Sequence, residues 1–176
     1  RVTTTKSLMD SGRLSNLNIN CIVLKYSDDE RKGRNKNKYQ DEMDWLVSND
    51  ARNRFIKNLA VRSKGNTLVL FQYVGKHGQV LYDLIKEKAH EDRKIFFVHG
   101  GTATEDRESI RHITEGATDA IIVASYGTFS TGINIPSIEN VIFASPTKSK
   151  IRNLQSIGRG LRLKDGKLVC NLYDIA

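Results

Sequence analysis

Three polar side chains near the carboxyl end of the chain have the spacing needed to bind a polyphosphate together. Gln155, Arg159 and Arg162 recur at i, i+4 and i+7, which places them on one face of a predicted α-helix. Gly158 lies beside them, and its missing side chain lets another group come close. Two guanidinium groups one turn apart are planar, permanently charged donors that match phosphate oxygens. We interpret this face as a phosphate site, and a solvated basic helix face is the alternative.

The same positions match a known motif. Gln155-x-x-Gly158-Arg159-x-x-Arg162 resembles motif VI of the superfamily 2 helicases, Gln-x-x-Gly-Arg-x-x-Arg, at every specified position. The resemblance implies that Arg162 and Arg159 are arginine fingers for the γ-phosphate of ATP, and that Gln155 positions the phosphate or the attacking water. It also places Gly158 at the ATP site.

A second polar string, residues 125–136, follows a predicted strand. Its hydroxyls and backbone N–H groups can hold phosphate oxygens, and a plain polar loop is the alternative. Gly132 and Pro136 resemble the fixed positions of helicase motif V, Gly-Ile-Asp-x-Pro. The resemblance places Gly132 and Asn134 near the sugar of ATP and Ser125 against the nucleic-acid backbone. Asn134 replaces the aspartate of that motif, so it can hydrogen-bond a ribose hydroxyl but brings no charge.

Further nucleic-acid contacts are implied upstream. Gln72 resembles part of the weakly specified motif IV, and His99 with Gly100 resembles the glycine turn that meets the nucleic-acid backbone. Thr128 completes the predicted set. A plain Gly-Gly turn is the alternative for residues 99–101, and we expect a neutral His99 packed in that turn rather than a catalytic base. Backbone contacts read no bases, so they predict little sequence preference.

The elements that would position these residues follow an α/β pattern. Continuous apolar strands separated by amphipathic helices predict a parallel β-sheet with helices on both faces. Polar residues after such strands gather at the carboxyl edge of the sheet, where ligands bind. The predicted strands are 18–26, 67–73, 94–98, 119–125, 140–144 and 168–174, and residues 39–63 are predicted to be helical in two pieces with a cap within residues 48–50.

Local patterns give further predictions. Residues 27–38 are polar and basic, and we expect a mobile loop there. Residues 75–78 are predicted to form a turn. Thr102 with Glu105 resembles a capping box that begins a helix ending near residue 115.

The order of the motifs strengthens the resemblance. Motif IV, the glycine turn, motif V and motif VI occur in sequence between residues 66 and 174, as in the second RecA-like domain of superfamily 2 helicases. The resemblance implies a RecA-like domain at residues 18–176 and a connector at residues 1–17 from an N-terminal ATPase domain. Residues 124–133 and 148–151 resemble the phage UvsW-type DNA helicases, which implies work on branched DNA in recombination or repair.

Other parts of an ATPase are not found in the sequence. There is no Gly-x-x-x-x-Gly-Lys-Ser/Thr loop and no Asp-Glu-x-His string. In the superfamily 2 helicases these belong to the first RecA-like domain, which also holds Mg²⁺. We therefore expect this chain to form one wall of an ATP cleft, to need that domain as a partner, and to hydrolyse no ATP alone.

Bulk composition favours an anionic partner. The chain of 176 residues carries 28 Lys and Arg against 20 Asp and Glu, a net charge of +8, and nucleic acid is the default partner for such a charge. The resemblance favours DNA over RNA. No apolar run approaches a membrane span and no signal-peptide pattern is present, so we expect no membrane partner and a cytoplasmic location, the host cytoplasm if viral. Cys21 and Cys170 are predicted buried thiols, and no metal-ligand spacing surrounds them.

Three other functions fit part of the sequence. An ATP-driven duplex translocase or remodeller shares every motif. A non-catalytic nucleic-acid-binding module keeps the fold, but the presence of both Arg159 and Arg162 argues against it. An unrelated doubly wound nucleotide-binding protein predicts a Gly-x-Gly-x-x-Gly after the first strand, and the chain has none.

Overall fold

A six-stranded parallel sheet forms the centre of the domain. The computed structural model describes residues 4–32, 38–131, 135, 137–146 and 169–176. The strand order is β1-β6-β5-β2-β4-β3, and every neighbouring pair is parallel. This confirms the predicted parallel sheet. The strands are β1 (Asn16–Ile22), β2 (Asn66–Phe71), β3 (Ile95–Val98), β4 (Ile121–Ser125), β5 (Ile138–Phe143) and β6 (Val169–Ile175).

Helices cover both faces of the sheet, as predicted. They are α1 (Thr5–Asp10), α2 (Asp28–Arg31), α3 (Tyr39–Ser48), α4 (Asp50–Arg62), α5 (Gln79–Lys88), α6 (Thr104–Gly116) and α7 (Tyr126–Thr131), with a π-helix at Val74–Gly78. Ile56 of α4 and Leu81 of α5 pack in the core on one face, and Ile110 of α6 packs on the other. Every residue of β2 is buried, which explains its uninterrupted apolar run. None of the described helices is long and apolar enough to cross a membrane.

The predicted break between α3 and α4 is confirmed. The Asn49 side chain accepts a 2.9 Å hydrogen bond from the backbone N–H of Arg52, so it caps the first turn of α4. Trp45 of α3 packs edge-on against Tyr26, with ring centroids 4.7 Å apart. The cap fixes the start of α4, whose buried Arg52 reaches the carboxyl edge of the sheet.

Two local predictions at helix starts are wrong. Thr102 does not cap α6, because its Oγ1 accepts a 3.0 Å hydrogen bond from the N–H of His99 and so closes the preceding turn. The N-cap of α6 is Ala103, which has no side-chain hydrogen bond. The predicted mobile loop at residues 27–38 contains α2, because Ser27 and Glu30 form a reciprocal capping box.

Three more predictions are corrected. Residues 75–78 belong to a π-helix that continues into α5 rather than to a turn. The string at residues 125–136 begins with the last residue of β4 and continues into α7, so the alternative of a plain polar loop does not hold for its first half. Cys21 is exposed because it lies on β1, a strand at the edge of the sheet, whereas Cys170 is buried as predicted. β1 begins at Asn16, and the connector boundary at residue 17 stays a prediction.

Candidate functional site

The predicted site residues divide between two parts of the chain. Gln155, Gly158, Arg159, Arg162, Gly132 and Asn134 lie outside the described residues, so their roles stay predictions. Gln72, His99, Gly100, Ser125 and Thr128 are described.

Three of the described site segments lie side by side at the carboxyl edge of the sheet, each at the end of a neighbouring strand. Phe71, the last residue of β2, pairs with Ser125, the last residue of β4, and Val98 of β3 pairs with Ala124. Gln72, His99 and Ser125 therefore lie at the carboxyl ends of three neighbouring strands. This is the arrangement that the motif order predicts.

Ser125 and Thr128 form one hydroxyl pair at the start of α7. Their hydroxyl oxygens lie 2.8 Å apart, and the N–H of Thr128 donates to Ser125 Oγ at 3.3 Å. Thr128 is only 5% exposed, whereas Ser125 is partly exposed. The buried threonine thus orients the serine, and Ser125 is the hydroxyl of the pair that an outside phosphate reaches more easily.

The His99 turn is held by its own hydrogen bonds. His99 Nδ1 accepts from the N–H of Gly101 at 3.1 Å, which requires that this nitrogen carry no proton. The centroid of the His99 ring lies 5.2 Å from the centroid of the Phe97 ring. These contacts pack the ring in the turn, as expected from the sequence. A Cβ added to Gly100 would meet no atom within 4 Å, so the space before this residue is open to an approaching backbone.

Arg107 is a cation at this turn that the sequence motifs did not reveal. Its Nη2 donates to the carbonyl oxygen of Gly100 at 3.0 Å and to that of His99 at 3.4 Å. Arg107 Nε is buried and has no hydrogen-bond partner in the described structure. Arg107 therefore places one positive charge beside the glycine turn, on the same first turn of α6 as Glu105 and Asp106.

A buried polar cluster lies beneath the same edge. The Ser145 cluster comprises Asn53, His77, Tyr126 and Ser145, all of them 5% exposed or less. Asn53 Nδ2 donates to the carbonyl of Val47 at 2.9 Å, so Asn53 Oδ1 faces His77 Nε2 as an acceptor at 3.1 Å. His77 therefore carries its proton on Nε2, and the Ser145 hydroxyl donates to Nδ1 across 2.8 Å.

His77 is unsuited to proton transfer. Burial, and after it the nearby charge of Arg52, lowers the pKa of His77 from 6.5 to about 3. The imidazole therefore stays neutral at physiological pH and acts as a fixed link in the cluster. The π-helix positions this link, because it turns the segment after β2 so that His77 points beneath the sheet edge.

Arg52 joins α4 to the ends of two strands. It is 1% exposed, and its Nη2 donates to the carbonyl oxygens of Ala144 at 3.1 Å and Ile175 at 2.6 Å. Its Nη1 lies 3.4 Å from the hydroxyl of Tyr26. Sequence motifs missed this residue, although one signal was available: Arg52 shares a helical stripe with the buried Ile56.

A separate cavity opens at the opposite edge of the sheet. Its volume is about 600 Å³, and its lining includes Arg93 and Asp119. Arg93 lies 2.8 Å from the Asp119 carboxylate and donates to the Ser63 carbonyl at 2.9 Å. Burial lowers the pKa of Arg93, and Asp119 opposes that shift. None of the predicted site residues that the structure describes lines this cavity.

The fold and the edge define a class of protein. The fold is a parallel sheet covered by helices on both faces, and the described turns with polar residues and glycines lie at its carboxyl edge, as in the C-terminal domains of helicases. Residues 50–164 match the helicase conserved C-terminal domain. The chain therefore belongs to the helicase C-terminal domain family.

The similarity to particular proteins is consistent with this family. The chain is 37% identical, over 98% of its length, to the ATP-dependent DNA helicase uvsW of Enterobacteria phage T4, of which it covers 34%. The crystal structure of T4 UvsW matches 92% of this chain and 33% of that chain with a TM-score of 0.76 and 35% identity. The C-terminal domain of the DEAD-box protein Dbp5 shares the fold, with a TM-score of 0.58, 15% identity, and coverage of 93% of this chain and 77% of that one. The chain spans 15% to 34% of the length of the curated relatives it matches.

Proposed function

We propose that this chain is the C-terminal motor domain of an ATP-dependent DNA helicase that unwinds branched DNA in recombination or repair. The observation that supports this most directly is the convergence of Gln72, His99 and Ser125 at one sheet edge. The 37% identity to a phage DNA helicase favours DNA over RNA as the partner.

In this proposal the domain contacts the nucleic-acid backbone through the described edge. The Ser125 hydroxyl and the N–H groups of the Gly100 turn donate to phosphate oxygens, and Arg107 adds positive charge beside them. Thr128 holds Ser125 in place. Gln72 follows β2 at the same edge, and its backbone N–H is already engaged, donating to Ser145 Oγ at 3.1 Å, so its side chain would make the contact. Contacts of this kind fix position without reading bases.

ATP would bind between this domain and a first RecA-like domain. Arg162 and Arg159 would stabilise charge on the transferred phosphoryl group, Gln155 would position it or the attacking water, and Gly158 would leave the room that ATP needs. Gly132 and Asn134 would lie near the sugar. Among the described residues no group of three or more His, Cys, Asp or Glu can hold a metal ion. We place the Mg²⁺ ligands on the first domain and expect this chain alone to hydrolyse no ATP.

A strand-displacement assay tests the proposal. The full-length protein that contains this chain should separate the strands of a branched DNA substrate in an ATP-dependent reaction, and a matched branched RNA should be unwound more slowly. ATP-dependent movement on duplex DNA without strand separation would replace helicase by translocase or remodeller. Binding of DNA with no ATP hydrolysis would leave a non-catalytic binding module.

A further inference from the structure

The two edge strands of the sheet differ in how well they are protected. β3, at one edge, has four residues, and all of them are half-buried or buried. β1, at the other edge, has seven residues, of which Leu17 and Ile22 are half-buried and the rest are exposed. An edge strand presents backbone N–H and C=O groups to its surroundings. Natural proteins commonly protect such an edge with charged residues, proline or a bulge.

β1 has none of these protective features. Its sequence, Asn-Leu-Asn-Ile-Asn-Cys-Ile, contains no charged residue and no proline. Its pairing with β6 runs in one continuous register from Asn16 to Ile22. Ile19 is 58% exposed, although it is a large apolar residue on a strand. An uncharged and regular edge strand is a surface on which another strand can add to the sheet.

The outward backbone groups of β1 belong to its odd-numbered residues. The N–H of Ala176 donates to the carbonyl of Ile22 at 2.9 Å, and the N–H of Leu24 donates to the carbonyl of Ala176 at 3.0 Å. Residues 22 and 24 therefore turn their backbone groups towards β6. Because these groups alternate in direction along a strand and the register is continuous, the backbone groups of Leu17 and Ile19 point away from the sheet.

The sequence of β1 is symmetric about Asn18. Asparagine lies at positions 16, 18 and 20, and the apolar Leu17 and Ile19 lie between them. In an antiparallel pair of two such strands with the two-fold axis at Asn18, Asn16 faces Asn20 of the second copy and Leu17 faces Ile19. Leu17 and Ile19 can then exchange backbone hydrogen bonds, since their backbone groups are the outward ones. The strand is therefore complementary to itself.

A row of amide side chains across the sheet ends at the same asparagine. Asn171 of β6 donates to Asn140 Oδ1 of β5 at 3.2 Å, and Asn18 Nδ2 donates to Asn171 Oδ1 at 3.2 Å. The three residues are register partners in adjacent strands. Asn18 Oδ1 accepts no hydrogen bond from the described residues, so an asparagine on an added strand would extend the row.

We propose that β1 pairs with β1 of a second copy of this chain, antiparallel about Asn18, and so joins the two sheets into one. This interface lies away from the proposed nucleic-acid contacts, because β6 and β5 separate β1 from β2, β4 and β3. A single strand pair is smaller than the interface of most stable dimers. The dimer is therefore reversible, with a Kd of roughly 10–100 μM.

Sedimentation velocity of the full-length protein that contains this chain tests the pairing. Between about 1 and 200 μM the sedimenting mass should rise from that of a monomer towards that of a dimer. Asn18→Lys places two ammonium groups opposite each other at the axis and should keep the protein monomeric. Val80→Lys is the control, because it adds the same charge at an exposed residue of α5 and should leave dimerisation unchanged.

Salt separates strand pairing from association through bound nucleic acid. The dimer should persist in about 0.5 M salt because β1 carries no charge, whereas copies bridged by nucleic acid should come apart. Loss of the dimer in salt would overturn the proposal.

A single cysteine tests the register. In a Cys21→Ser background, Asn18→Cys brings two thiols together across the axis, where paired Cα atoms lie about 4.5 Å apart and a disulfide can form. Asn20→Cys is the control, because it lies on the same face of β1 but faces position 16 of the second copy. Its yield of covalent dimer under oxidation should be at least about fivefold lower.

The outcomes are distinct. Unmodified protein that stays monomeric over the whole concentration range, or an Asn18→Lys variant that dimerises as well as Val80→Lys, would overturn the proposal. Equal yields from Asn18→Cys and Asn20→Cys would overturn it too, since they indicate random collision of exposed thiols. A thermal melt shows whether Asn18→Lys is folded, and if it is not, the two cysteine variants decide.

Discussion

The guanidinium of Arg52 donates a 2.6 Å hydrogen bond to the carbonyl oxygen of Ile175, 123 residues further along the chain. The same nitrogen donates to the carbonyl of Ala144 at 3.1 Å. One buried side chain on α4 therefore satisfies backbone groups at the carboxyl ends of β5 and β6. These are groups that a parallel sheet leaves without partners where its strands end.

Replacement of Arg52 should therefore destabilise the domain strongly. Arg52→Ala leaves two buried carbonyl groups without their donor and creates a cavity, and we expect a loss of about 3 kcal/mol in the free energy of unfolding. The exposed neighbour provides the control, because Arg54→Ala should change stability by less than about 0.5 kcal/mol. Urea denaturation of the two variants measures the difference. Equal stability of the two variants would show that the buried hydrogen bonds contribute little.

His77 should make the stability of the domain depend on acid pH. Its pKa is about 3 in the folded state and 6.5 when unfolded, so only the unfolded chain gains a proton as pH falls below 6.5. The free energy of unfolding is therefore not reduced by His77 above pH 6.5. It falls as the pH decreases from 6.5 towards 3, by no more than about 1.4 kcal/mol per pH unit.

A histidine substitution checks this linkage. His77→Gln should be less stable at pH 7.5 but should lose less stability than the unmodified chain between pH 6.5 and pH 5. The measurement is the unfolding free energy at each pH. Parallel pH curves for His77→Gln and the unmodified chain would contradict the assigned burial effect.

Alanine substitutions at two glycines of the π-helix should have different effects on the stability of the domain. A Cβ on Gly78 would lie 2.5 Å from the ring of Phe71, which is fully buried in the core, so Gly78→Ala should cost about 1–3 kcal/mol through overpacking. A Cβ on Gly75 would meet no atom within 4 Å. Gly75→Ala should be neutral or stabilise by up to about 1 kcal/mol, because it lowers the entropy of the unfolded chain. Thermal melts of both variants decide the matter, and a Gly78→Ala variant as stable as Gly75→Ala would be inconsistent with the close packing.

Gly100 should matter for DNA binding and not for folding. A methyl group there meets no atom of the chain within 4 Å, so Gly100→Ala should melt within a few degrees of the unmodified protein. The methyl would stand where we propose that the phosphate backbone approaches, and DNA affinity should fall roughly threefold to tenfold, as for the loss of one hydrogen bond. Gly116→Ala at the far end of α6 has the same open surroundings and should leave affinity unchanged. Fluorescence anisotropy with full-length variants gives both affinities, and equal affinities would remove Gly100 from the interface.

The strands of the sheet could be predicted from the sequence because each one is determined by residues that are close together in the chain. The buried run of β2 and the Asn49 cap can each be recognised within a few residues, and the structure confirms both. Thr102 shows the limit of such patterns, since its spacing to Glu105 fits a capping box but the N–H of His99 takes its hydroxyl instead.

The polar interior was missed because its partners are distant in sequence. Arg52 donates hydrogen bonds to backbone carbonyls at the carboxyl ends of two strands that come much later in the chain. His77 contacts Ser145 because a π-helix forms where the glycines indicated a turn. No spacing rule connects those residues before the fold is known. The predicted edge contacts came from their resemblance to helicase motifs, whereas the cluster that holds them required coordinates.

Stimulated ATP hydrolysis by Arg162→Ala in the full-length protein tests the central claim most directly. Arg111→Ala is a suitable control, because Arg111 forms ion pairs with Glu108 and Glu115 on the surface of α6. We predict that Arg162→Ala lowers the DNA-stimulated kcat by about 10³-fold to 10⁵-fold while DNA affinity stays within about twofold, because an arginine finger acts on the transition state. Full stimulated activity in Arg162→Ala, or an equal loss of activity and DNA binding, would contradict the account.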